Sequence, residues 1–161
     1  MFNKKINSKH KLVVGIIVFA IIAAASMALL EVQIEGKNAG ASALPTEEID
    51  NEILTMLVGG MSLTWYHVYA RLAVLIMPHA MFFFGVPWSR KMEAAILSSL
   101  CFIAPLEHFF WVLFNPYYGL QAFNSANTQF SWLGPVPAFY WICGAIGTIF
   151  LLLAIYLPKS K

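Results

Sequence analysis

The sequence predicts an all-α integral membrane protein with four transmembrane helices and both termini in the cytoplasm. A short amphipathic external helix is expected between the first two spans. Three observations lead there. Sixty per cent of the 161 residues are hydrophobic and only 11% are charged, with a mean hydropathy of +0.71, whereas a soluble domain carries roughly a quarter charged residues. Apolar runs of the length a bilayer requires recur at about 12–30, 63–86, 92–114 and 136–157. Finally, the basic residues between and beside those runs fall on one side.

The first run, 12–30, contains no formal charge. It follows Lys4, Lys5, Lys9 and Lys11, as a signal peptide would, and Ser26-Met27-Ala28 and Ala41-Ser42-Ala43 resemble cleavage patterns. Its length exceeds the hydrophobic region of a typical signal, so a retained anchor is expected. Arg90 and Lys91 separate the second and third runs, and Lys159 and Lys161 follow the fourth. With four spans and a cytoplasmic N-terminus, all eight of these cations face the cytoplasm; Lys37 and Arg71 complete the ten. Such a bias sets membrane orientation and places the chain as a multi-pass protein of the plasma membrane.

The external segment, 31–62, carries Glu31, Glu35, Glu47, Glu48, Asp50 and Glu52. Within it, acids crowd the start of a stretch running from Pro45 to Gly59-Gly60, where a helix dipole favours them. Ile49, Ile53, Met56 and Leu57 follow helical spacing, which predicts a short helix on the membrane or on a partner. The second external loop, after 114, has no formal charge and is rich in aromatic residues. It is expected to fold back over the helices or to meet another subunit. The chain reads as one four-helix domain, 1–161.

The polar residues inside the spans carry the functional reading. Arg71 lies eight residues past Leu63 and Glu107 seven before Phe114, so the two sit at depths of roughly 12 and 10 Å on antiparallel helices. Arg71–Glu107 is therefore the expected intramembrane pair, since a charge in hydrocarbon needs a partner. His67, four residues before Arg71, shares its helix face, and His108 lies near the level of Glu107. Three chemistries suit this outer cluster. His67 and His108 can be axial ligands of haem b, with Arg71 neutralising a propionate. His67, His108 and Glu107 are candidate ligands of a metal, copper among them, although adjacent Glu107 and His108 point about 100° apart on a helix. In the third, the same groups are structural and hydrogen-bond the helices together.

The inner half is read as structural. Met77 and Met81 share a helix face with His79 opposite them, so Met77-Pro78-His79-Ala80-Met81 reads as a proline kink, with His79 bonding Ser98, Ser99 or water. Glu93 is expected to pair with Arg90 or a headgroup. Cys101 and Cys143 lie in apolar runs and read as small buried side chains. Ala20, Ala24, Gly144, Gly147 and Thr148 supply small surfaces for close helix contact.

No hydrolase, nucleotide-binding or zinc-protease motif occurs, and a net charge of +2 gives no footprint for nucleic acid. No independent catalytic activity is expected. The sequence therefore predicts a small accessory or structural subunit of a larger membrane complex, in an electron-transfer, oxidase or monooxygenase setting, with lipid and other membrane subunits as partners. The alternative is a haem- or metal-binding membrane redox protein that uses His67 and His108.

Overall fold

The computed structural model describes residues 8–37, 47, 49–51, 64–126 and 131–158. The fold is mostly helical: α1 (Ser8–Glu35), α2 (Trp65–Phe83), α3 (Arg90–Phe114) and α4 (Ala138–Tyr156). Helices α1, α3 and α4 are long and apolar enough to cross a membrane. At 19 residues α2 is about 28 Å long, close to the hydrocarbon thickness of a bilayer. Its Arg71, His67 and His79 keep it out of that apolar set. Most of the expected external helix lies outside the described residues, as do Lys4, Lys5, Lys159 and Lys161.

Helix α3 is central, with α1 on one side and α4 on the other, while α2 touches α3 sparsely. Helix α1 buries Ile16, Ala20, Ala24, Ala28 and Val32, every fourth residue, which is the ridge that seats in the groove of a neighbouring helix. Ala20 and Ala24 pack on Ile103 of α3, with Leu100, Leu106 and Phe110 alongside. In lipid, no hydrophobic gain drives helices together, so close van der Waals packing and interhelical hydrogen bonds must do it. The α3–α4 contact uses both. A Cβ on Gly147 would lie 3.0 Å from the Phe102 ring and 3.1 Å from the Cys101 Cβ, and the Ser98 hydroxyl donates to the Gly147 carbonyl at 2.9 Å. The small residues Ala20, Ala24 and Gly147 thus serve contacts within the chain; Gly144 faces open space.

Contacts at the helix ends set the directions. At one end the Lys9 ammonium lies 4.6 Å from the Tyr156 ring centroid, and Lys91 donates to the Ile155 carbonyl at 3.4 Å. At the other, the Asn115 amide donates to the Gly36 carbonyl at 2.8 Å and the Tyr118 hydroxyl to the Lys37 carbonyl at 2.8 Å. Helices α1 and α3 therefore run parallel, and α4 runs against them.

Helix α2 turns into α3 through a tight cap. Gly85 has φ +87°; its N–H bonds the Phe82 carbonyl, and the Val86 N–H bonds the Met81 carbonyl. This double bond pattern ends helices on a left-handed residue, a role glycine fills without strain. Ser89 then caps α3 by accepting from the Met92 N–H at 3.1 Å, satisfying one of the orphan donors of a helix start. The loop after α3 folds back over the helices. Phe123 packs against the cluster of Ala28, Val32, Trp111 and Val112. A two-residue antiparallel ladder, β1 (Trp132–Leu133) with β2 (Val136–Pro137), leads into α4.

Candidate functional site: a polar-walled cavity between α1, α2 and α3

The site begins with an extension of α1. The helix continues past position 30 to Glu35, which takes Glu31 and Glu35 out of the loop and into the bundle. Glu31 is seven residues after Ala24 and three after Ala28, the spacing of one helix face. It therefore points where the buried alanines point, towards α3 and the start of α2. There its carboxyl lies beside that of Glu107 and accepts from the Tyr66 hydroxyl. Glu107 is only 8% exposed.

Arg71 and Glu107 line one cavity of about 200 Å³, together with Met27, Val74, Leu75, Leu100, Ile103 and Ala104. Arg71 thus shares a wall with the Glu107 carboxyl, while the contact ion pair among the described residues is His79–Glu93 at 3.1 Å. The carboxyl beside that of Glu107 belongs to Glu31, which the sequence reading places in the external segment.

The two outer histidines have separate engagements. His67 is the third residue of α2, and its Nδ1 accepts from the Thr64 N–H at 3.2 Å and lies 2.9 Å from the Thr64 hydroxyl. This is half of a capping box, with histidine where glutamate is usual. An accepting Nδ1 leaves the ring proton on Nε2, so that nitrogen is a donor in this arrangement. His108 Nδ1 lies 2.9 Å from the Tyr140 hydroxyl of α4, and the His108 ring meets Phe139 and Tyr140 edge-on. Among the described residues, no group of three or more His, Cys, Asp or Glu side chains is arranged to hold a metal ion. Trp111, one turn beyond Glu107, is buried with its indole N–H unpaired among the described residues and its ring 5.2 Å from Tyr118.

The inner end of α2 is held by a different set. Pro78 supplies no N–H to the helix ladder, and the neighbouring His79 ring places Nδ1 2.6 Å from the Leu75 carbonyl. Its Nε2 lies 3.1 Å from Glu93, whose other oxygen accepts from the Trp88 indole at 2.9 Å. The partners of His79 are thus Leu75 and Glu93, in place of Ser98, Ser99 or water. Glu93 bonds His79 and Trp88, in place of Arg90 or a headgroup. Cys101 and Cys143 are free thiols.

Comparison with protein-family models, with curated proteins and with solved structures finds no match for this chain.

Sequence reasoning missed Glu31 because it took the first charge after an apolar run as the end of the span. The signal was present in the heptad spacing of Ala24, Ala28, Glu31 and Glu35. Tyr66 and Tyr140 were legible as aromatic surroundings; their individual bonding partners were not.

Proposed function

We propose that this chain is a small accessory subunit of a larger membrane complex. It crosses the plasma membrane four times, with both termini in the cytoplasm. The observation that supports the reading is α2. That helix buries none of its residues within the chain, yet it carries Arg71 on an exposed position about 9 Å from its outer end. A cation at that depth is costly against lipid, and a neighbouring protein surface removes the cost. Tyr69, Leu72, Ile76 and Met77 are exposed on the same helix, so a partner helix laid along α2 would cover an apolar surface. The basic residues support the orientation through the positive-inside rule, and the polar outer cluster suits an electron-transfer, oxidase or monooxygenase setting.

Native mass spectrometry after mild detergent extraction from the source membrane tests this reading. The expected result is a complex in which this chain accompanies other membrane subunits. Recovery as a lone chain would overturn it, and a lone chain retaining haem or metal would transfer the argument to His67 and His108.

A further inference from the structure

The cavity has a polar end that selects its ligand. Arg71 and Glu107 are the two residues of the cavity lining with ionisable side chains, and Glu107 brings a carboxyl group. Arg71, on the same cavity wall as Glu107, bears one positive charge. The polar end therefore offers guanidinium donors beside a carboxyl acceptor. Glu31 and Glu35 both lie outside the lining. A free ion of either sign gains little from such a pair. A hydroxyl group gains from both members, since it accepts from one and donates to the other.

Size and wall chemistry narrow the rest of the molecule. Met27, Val74, Leu75, Leu100, Ile103 and Ala104 make the remaining surface apolar. An apolar cavity of about 150 Å³ holds a benzene ring, so about 200 Å³ has room for one ring with small substituents. The rim reaches the protein surface at Arg71 and Leu75, both exposed. That rim lies within the span of α2, and a ligand enters it sideways from the bilayer.

We propose that the cavity between α2 and the α1–α3 pair binds a neutral, membrane-soluble, single-ring hydroxyl compound, a phenol or hydroquinone, with its oxygen between Arg71 and Glu107. The site is complete within this chain and does not depend on the subunit reading. Binding a carrier of this class places the chain beside redox chemistry without requiring a metal in it.

The test uses the full chain in detergent and two probes that differ by one group, thymol and its hydroxyl-free counterpart p-cymene. Equilibrium dialysis against matched protein-free micelles measures each. One thymol per chain is expected, with p-cymene about tenfold weaker, the discrimination of a hydrogen bond to a charged group. Arg71→Met should bring the two probes within about twofold of each other, and Ala104→Leu, which fills the cavity, should remove both. Equal binding of the two probes by the wild-type chain would mean an apolar slot that takes acyl chains, and would overturn the proposal. So would thymol binding that survives Ala104→Leu, or none above the micelle background. The wild-type comparison stands alone if circular dichroism shows either variant misfolded.

Discussion

The α1–α3–α4 unit and α2 are built on opposite terms. In the first, small side chains let helices approach until little space remains: Ala24 and Ala28 are fully buried, and Gly147 sits where a Cβ would collide. In the second, a helix with no buried residue is pinned near its two ends by polar groups. Tyr66 bonds Glu31 at the outer end, and His79 bonds Glu93 at the inner end. Between the pins, the helices do not close and the cavity remains. The difference teaches how a membrane protein can keep an internal space without a large fold: dense packing supplies a scaffold, and directional bonds hold one helix at a distance from it.

The contrast can be broken at the packed side first. Gly147→Leu should cost about 2–3 kcal/mol through overpacking, because the atoms it meets include the Cys101 Cβ, which moves only with its backbone. Unfolding in mixed micelles, followed by circular dichroism, measures this. A stability within 0.5 kcal/mol of wild type, roughly the scatter of inert substitutions, would remove the close α3–α4 contact from the account.

At the outer pin, Glu31→Ala removes an acceptor of the Tyr66 hydroxyl. Losing a hydrogen bond to a charged group costs about 1.5–3 kcal/mol. The more telling readout is crosslinking between cysteines placed at the outer ends of α1 and α2, which should fall sharply. Unchanged crosslinking would show that Glu31 does not hold α2.

The polar end of the cavity makes a prediction of non-additivity. Arg71→Met alone leaves Glu107 without the cation on its cavity wall, whereas Arg71→Met with Glu107→Gln removes both ionisable groups. The double variant should assemble better than the single, since leaving the buried Glu107 carboxyl without its neighbouring cation costs more than replacing both. Additive losses would mean that Arg71 and Glu107 act independently.

The inner pin should be weakest. His79 and Glu93 side chains are 27% and 29% exposed, and partly solvated pairs contribute about 0–1 kcal/mol. Glu93→Gln should leave global stability nearly unchanged while loosening the inner end of α2 in the same crosslinking assay. A loss as large as that of Glu31→Ala would place the anchor of α2 on the wrong end.

Hydropathy and length alone marked the helical membrane class, because every backbone polar group in lipid must find its partner within a helix and a helix must be long enough to cross. The extents of α2, α3 and α4 agree closely with the apolar runs for that reason. The polar character of α2 was equally legible, as were the matching levels of Arg71 and Glu107, since position along a helix follows from residue count. Rotation about the axis and the approach of separate helices do not follow from count. Tertiary packing decided that Glu31 belongs to the bundle, that His67 turns to Thr64 and His108 to Tyr140, and that Glu93 takes His79. A charge at the end of an apolar run can close a span or face inward. Which it does depends on whether a neighbouring helix offers a partner at that angle, and in this chain Tyr66 of α2 is that partner.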